Sequence, residues 1–306
     1  MADLAIEIRS LGKTFGGKVV AVDGLDMAVP RGVVYGLIGR NGAGKTTTLR
    51  ILMGLLRPDC GFAYVLDTDM RAAAPPQRAR VAYVSQGQQI YSWMTVDELG
   101  HYMAQFYPRW DPAHLGRLAK RFEVPRDRPI GVMSGGEQRK SAIILALATR
   151  AEVLLLDEPA GSLDPIARRQ LVDEVVDLAS AAETTILFST HIITDLERVA
   201  EYVGIMDRGR MLNEGRLEDM HTTTRRVQVI FAETAPPAGF AIPGAVRSHT
   251  AGPVITALVR LADESQLDEV RRIPGVRVNV FPLGLEEAFI DLLGPEMSEE
   301  LAEVQS

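Results

Sequence analysis

The stretch GVVYGLIGRNGAGKTTTLRILMGLL, residues 32–56, constrains the fold more than any other part of the chain. Its opening, GVVYGLIG, is apolar nearly throughout and ends on glycine, the pattern of a strand buried on both faces. From Lys45 the pattern turns helical, and Pro58 stops it. Between them lies GRNGAGKT, Gly39 to Thr46, which fits G-x-x-x-x-G-K-[ST] in the strand–loop–helix setting that gives this pattern its meaning.

In that setting Gly39, Asn41, Gly42, Ala43 and Gly44 form a loop whose backbone N–H groups close round phosphates. Lys45 reaches the β- and γ-phosphates, the Thr46 hydroxyl ligates Mg²⁺, and Thr47 follows in the same first helical turn. Other apolar strands also end on polar residues. EVLLLDEP (152–159) carries Asp157 to a strand end, where it reaches a metal through water. Glu158 comes next, placed to polarise an attacking water as general base. TTILFSTH (184–191) ends on His191, a second catalytic candidate. VAYVSQ (81–86) ends on Gln86, whose amide ligands Mg²⁺ or orients water. His101, His114, His221 and His249 lack such a setting and read as surface or packing residues.

Strands alternating with helices predict an α/β fold with a mainly parallel sheet covered on both faces. From about Thr95 to Ala151 the pattern is helical. Near residue 220 the character changes: 221–226 reads as a linker, and the remainder as a small α+β unit without a catalytic constellation. The net charge of −7 over 306 residues argues against a duplex nucleic-acid footprint, so no nucleic-acid partner is expected. Cys60 is the only cysteine, which excludes intrachain disulfides and cysteine metal clusters and suits a reducing compartment. No secretory signal is visible, and apolar runs such as AIILALA (142–148) are far shorter than the roughly 18 residues of a membrane span. A chain soluble by itself is expected.

MSGGEQRK, residues 133–140, has two readings. Ser134 and Glu137 make the Ser-x-x-Glu capping box of a helix start. Gly135 and Gly136 also leave backbone N–H groups at that start open to an anion. Ser134 lies 89 positions after Lys45 (134 − 45), beyond a helical stretch, so no short local route joins it to its own phosphate loop.

Together, in order and spacing, these stretches resemble the ATPase subunit of ABC transporters over about residues 4–220. GRNGAGKT is similar to the Walker A loop, VLLLDE to the Walker B strand and Gln86 to the Q-loop glutamine. MSGGEQ resembles the family signature, SLDP (162–165) the D-loop, His191 the switch histidine, and Phe15 the aromatic that stacks on adenine. Met133 and Glu137 depart from the usual Leu and Gln, yet the serine and glycines remain.

The resemblance implies a P-loop NTPase fold of ABC type. It would have a mixed, mainly parallel core sheet, an antiparallel β subdomain and a helical subdomain at about 87–150, all within a 1–220 ATPase domain. A small α+β domain, 227–306, would follow the linker. It also implies ATP and Mg²⁺ as cofactors, with Thr46, Gln86 and Asp157 around the ion. Two subunits, identical or related, would sandwich two ATP molecules, with Ser134, Gly135 and Gly136 acting in trans and Asp164 at the interface. A separately encoded transmembrane permease subunit would hold the protein, as a peripheral subunit, on the cytoplasmic face of the inner or cell membrane. DNA-repair relatives insert long coiled coils between Walker A and signature, for which 89 residues leave no room, and translation-factor relatives carry two cassettes. FYPRWD (106–111) and LEEAFIDLLG in the tail resemble bacterial ATPases paired with small exporter membrane subunits. An importer ATPase, or an ABC ATPase without a membrane partner, are the other readings. In the family the aromatic stretch at Tyr91, Trp93 and Met94 lies beside the groove for the membrane subunit; helix packing is the competing role.

Overall fold

The computed structural model describes residues 3–87, 90–180, 184–232, 236–237, 239–261 and 263–293. Gln88 and Gln89, the expected helix end at Ala181 and Ala182, the strand end at Glu233 and the tail 294–306 lie outside the described residues. The chain divides into two compact units, 1–214 and 215–306.

The first unit opens with two long strands, β1 (Leu4–Phe15) and β2 (Val19–Pro30). Next come β3 (Val34–Gly39), α1 (Lys45–Leu52), β4 (Cys60–Val65), the short α2 (Pro75–Arg78) and β5 (Val81–Val84). Three helices follow: α3 (Val96–Met103), α4 (Pro112–Arg121) and α5 (Gly135–Ala148). The remainder is β6 (Val153–Asp157), α6 (Pro165–Ser180), β7 (Thr185–Thr190), α7 (Ile193–Leu196), β8 (Tyr202–Asp207) and β9 (Arg210–Arg216), within which the unit boundary falls.

β1 pairs antiparallel with β2 and β4, forming a sheet of order β2-β1-β4. The second sheet runs β5-β6-β7-β3-β8-β9, and the pairs β5/β6, β6/β7, β7/β3 and β3/β8 are parallel. Every residue of β3, β6 and β7 is buried, as the uninterrupted apolar runs predict for strands covered on both faces. Parallel strands put their carboxyl ends along one edge, where ligands bind in open α/β sheets. Gly39, Val84, Asp157 and Thr190 all end their strands there. β8 and β9 are joined by Arg208 and Gly209, at φ 46° and 82°, the positive pair that a tight two-residue connection needs. One apolar core, including Leu25, Tyr35, Leu37, Leu49, Leu155 and Leu187, spans both sheets and α1.

The helical starts follow their capping residues. Thr95 and Glu98 form a capping box on α3, Asp111 caps α4 ahead of Pro112, and Ser134 with Glu137 caps α5 as the sequence predicts. His114 is buried, its Nε2 2.7 Å from Glu174 of α6, in keeping with a packing role.

The second unit contains α8 (Leu217–Thr223), β10 (Thr224–Phe231), β11 (Ala245–Ala251), β12 (Val254–Arg260), α9 (Asp268–Arg271), β13 (Val276–Pro282) and α10 (Leu285–Leu293). Its antiparallel sheet has the order β11-β12-β10-β13 around a core including Val227, Val229, Ile255, Val259 and Leu267. The α+β character is as expected, but two expectations need correction. Residues 221–226 are not a linker: they form the last turn of α8 and the start of β10, whose Thr224 and Val227 are buried. The boundary accordingly falls at 214/215 rather than at 220, because α8 packs on β10 and β10 pairs with β12 and β13.

Candidate functional site

The loop between β3 and α1 takes its shape from its glycines. A Cβ on Gly39 would stand 2.6 Å from Met206 O, so only glycine allows β3 to turn there. Gly44 caps α1 at φ 104°, and a Cβ there would stand 2.3 Å from Ala21 O. No side chain caps α1 and no acid lies in its first turn. The N–H groups of that turn are therefore not claimed by a carboxylate or hydroxyl and suit an anion. Asn41 and Gly42 are exposed on the loop, Ala43 is buried beneath it, and Thr46 and Thr47 are half-buried in the first turn of α1.

Lys45, only 5% exposed, donates to Gly39 O at 2.6 Å and to Arg40 O at 3.3 Å. Its ammonium also lies 3.1 Å from Glu158 Oε1. Thr46 Oγ1 donates to Asp157 Oδ1 at 3.0 Å. Asp157 is fully buried and accepts further hydrogen bonds from Ser189 Oγ at 2.9 Å and Tyr83 OH at 3.2 Å. Burial, then the Asp157 charge, push the Tyr83 hydroxyl well above its usual range, so it stays a donor to the carboxylate.

Glu158 follows with φ 49°, its N–H donating to Ser189 O and Ser189 Oγ, both at 3.1 Å. Its carboxylate is 7% exposed and spans two partners, Lys45 on one oxygen and His191 Nδ1 at 2.6 Å on the other. His191 is half-exposed beyond β7. Six residues predicted from separate stretches thus converge here: Gly39, Lys45, Thr46, Asp157, Glu158 and His191. Ser189 and Tyr83 are additions that lie within the quoted strands but carry no motif.

Gln86 is placed differently from the expectation. β5 stops at Val84, and Gln86 stands in the bend beyond it, exposed, with no hydrogen bond to Thr46 or Asp157. Phe15 ends β1 at 44% exposure, with Lys13 Nζ over its ring, 5.7 Å from the centroid. At α5, Ser134 Oγ accepts from Glu137 N–H at 3.3 Å, and Glu137 accepts from Ser134 N–H at 2.8 Å. That backbone donor, with Arg128 nearby, holds the Glu137 carboxyl below its usual range. Gly135 and Gly136 open the first turn of α5, where neither N–H finds an acceptor among the described residues. No hydrogen bond or ion pair among the described residues joins Ser134, Gly135 or Gly136 to the loop at 39–47. Asp164 accepts from Ile166 and Ala167 N–H at 3.0 and 2.8 Å and lies 3.4 Å from Lys140.

Among the described residues there is no cluster of three or more His, Cys, Asp or Glu that would hold an ion unaided. A hydroxyl and a carboxylate oxygen 3.0 Å apart, beside an anion-binding loop, nevertheless fit Mg²⁺, which binds through one or two protein oxygens plus phosphates.

A strand–loop–helix phosphate loop at the end of β3, with acids at the end of β6 one strand beyond β7, defines a P-loop nucleoside triphosphatase. Similarity to known proteins narrows the class. A family model described as ABC transporter matches residues 22–161. Over 289 residues the chain is 27% identical to ABC transporter ATP-binding protein YtrB of Bacillus subtilis, covering 94% of this chain and 98% of that one. It is 32% identical over 300 residues to Nod factor export ATP-binding protein I of Cupriavidus metallidurans, covering 95% and 98%. A solved ATP-binding subunit of an ABC transporter superposes with a TM-score of 0.65 at 26% identity, covering 71% of this chain and 92% of that one. The chain belongs to the ATP-binding subunits of ABC transporters, and it is an ATPase.

Proposed function

We propose that this subunit powers export of a substrate through a separately encoded membrane permease, by closing with a second ATPase subunit around two ATP molecules. One observation carries the hydrolytic part. Glu158 Oε1 lies 3.1 Å from the Lys45 ammonium, which supports a carboxylate set beside the γ-phosphate that this lysine would hold. From there Glu158 takes a proton from water as the water oxygen bonds to the γ-phosphorus and the bridging P–O bond to ADP breaks. His191, 2.6 Å away, holds the other carboxylate oxygen and fixes its direction. Gln86 orients water from the bend after β5. Thr46 and Asp157, with Gln86, would hold Mg²⁺, which would neutralise charge on the phosphate oxygens. Phe15 stacks on adenine, while the loop from Gly39 to Thr47 cradles the phosphates.

The open N–H groups of Gly135 and Gly136, with Ser134, supply the second half of the partner's site, and Asp164 lies at the same interface. Ser134→Arg tests this arrangement. It should block ATP-driven dimerisation while leaving ATP binding to the monomer unchanged; weakened monomer binding would put Ser134 in its own subunit's site. Export is favoured by the relative named for Nod factor export, aligned over 95% of this chain. ATP-dependent efflux from vesicles holding the ATPase and its permease tests the direction, and substrate uptake would contradict it. The exposed aromatics Tyr91 and Trp93, 5.0 Å apart beside a cavity of about 230 Å³ lined by Tyr83, Leu99, Tyr102 and Leu145, are the proposed permease contact.

A further inference from the structure

Arg139, in the second turn of α5, is 2% exposed and among the largest fully buried side chains of the described residues. No carboxylate among the described residues forms an ion pair with it. Its guanidinium instead donates to four backbone carbonyls. Nη2 reaches Asp157 O at 3.0 Å and Glu158 O at 2.9 Å, Nε reaches Pro159 O at 3.3 Å, and Nη1 reaches Ser85 O. Burying a guanidinium without a carboxylate in direct contact is costly, and an apolar side chain would fill the space more cheaply. Burial accordingly pulls its pKa down, against the Asp157 and Glu158 charges.

The identity of those carbonyls explains the arrangement. Three are consecutive and bracket Glu158, which sits at φ 49°, a conformation that side-chain-bearing residues seldom adopt. Ser189 fixes the Glu158 N–H from one side, and Arg139 fixes its C=O from the other. The fourth carbonyl belongs to Ser85, directly before Gln86. The next residue of α5, Lys140, reaches Asp164. One turn of a helix therefore holds the Glu158 backbone, the entry to Gln86 and the loop at Asp164. That helix begins at Ser134, Gly135 and Gly136.

We propose that Arg139 is a positioning residue for ATP hydrolysis. It locks Glu158 in the conformation that aims its carboxylate, and it ties that carboxylate to the α5 N-terminus. Engagement of Ser134, Gly135 and Gly136 by the partner's nucleotide is thereby transmitted to the subunit's own general base. Arginine suits the task because it offers five N–H donors in a rigid plane, whereas lysine offers three from a single point that cannot reach four carbonyls in two segments. The proposal rests on Glu158 being the general base.

The test is a double-mutant cycle on the full-length chain, combining Arg139→Lys and Arg139→Gln with Glu158→Gln. Turnover is read with radiolabelled ATP, nucleotide affinity with a fluorescent ATP analogue, and folding by thermal melting. With Glu158 present, each Arg139 variant should lose about 10²-fold in kcat, the effect of misplacing a reacting group by about 1 Å, while Kd for nucleotide changes less than about twofold. With Glu158→Gln in place, the Arg139 variants should cause no further loss, because the group they misplace is already gone. An equal loss in both backgrounds, or a loss in Kd instead of kcat, overturns the proposal. Failure of both Arg139 variants to yield folded, nucleotide-binding protein also overturns it and makes Arg139 a stability residue. A normal rate in Glu158→Gln alone sinks the general-base reading, and this proposal with it, without reference to any Arg139 variant.

Discussion

Gly42 and Gly44 sit two residues apart in the phosphate loop, both at positive φ, 83° and 104°. Replacing each with alanine separates two physical effects. At Gly42 a Cβ would meet nothing within 4 Å, so only the backbone conformation resists, at about 1–3 kcal/mol. At Gly44 the same conformational cost applies, and the Cβ would in addition lie 2.3 Å from Ala21 O. That oxygen is main chain of β2, paired with β1, and cannot swing aside as a side-chain tip would. Forcing the extra methyl in adds about 1–3 kcal/mol, so Gly44→Ala should cost about 2–6 kcal/mol, a large part of the roughly 5–15 kcal/mol that holds a domain folded. Urea denaturation of both variants measures the difference. Because relief of the clash moves the start of α1, Gly44→Ala should also weaken ATP binding at least about tenfold more than Gly42→Ala, equivalent to about 1.4 kcal/mol by titration calorimetry. Equal destabilisation by the two substitutions, with equal affinities, would refute the claim that close approach to β2 dictates glycine at 44.

Glu174 gives a pH prediction. Burial alone would raise its pKa, but His114 at 2.7 Å and Arg121 at 3.0 Å outweigh burial and hold it below the usual value. A depressed folded-state pKa contributes stability above the unfolded value, ~4.3, and loses it as pH falls through the folded value. The stability gap between wild type and Glu174→Gln in urea should therefore be widest above pH ~5 and shrink toward pH ~3, whereas a constant gap would contradict the assignment. In the second unit, Arg226 donates to both Asp291 oxygens, at 2.8 and 2.7 Å, and is about one-third exposed. Arg226→Ala should cost that unit about 1–2 kcal/mol in chemical denaturation, with ATP binding unchanged, and a loss below about 0.5 kcal/mol would show the pair to be idle.

Much of the site is legible in the sequence because its residues terminate buried strands. A short uninterrupted apolar run bounded by polar residues, such as VLLL, suits a covered strand, whereas the longer run AIILALA (142–148) belongs to α5. A polar residue straight after such a strand then stands at the sheet edge. That logic places Asp157, Glu158 and His191 together with Lys45, and the contacts agree. It serves less well for Gln86, where β5 ends two residues early and a bend decides the side-chain direction. Arg139 is hidden for another reason. An arginine beside Gln138 and Lys140 in a capped helix looks solvated, and only the packing of α5 onto the strand ends shows it to be buried. In the second unit, β11 is an edge strand whose residues are mostly exposed, so no alternation marks it, and Pro243 and Gly244 just before it suggest a break. The polar HTTTRR looks like a linker because threonine and arginine carry no apolar period, yet α8 and β10 run through it.

Glu158 as the base of a site completed by a second subunit is tested most directly by Glu158→Gln. The substitution keeps the shape of the side chain and removes the carboxylate that accepts the proton. Turnover and light scattering after size exclusion, measured on one preparation with ATP and Mg²⁺, read both halves together. The expected result is ATP bound, hydrolysis cut to the residual rate that radiolabelled ATP still detects, and a stable ATP-loaded dimer. Wild-type hydrolysis by the variant, or a monomer at saturating ATP, would contradict it.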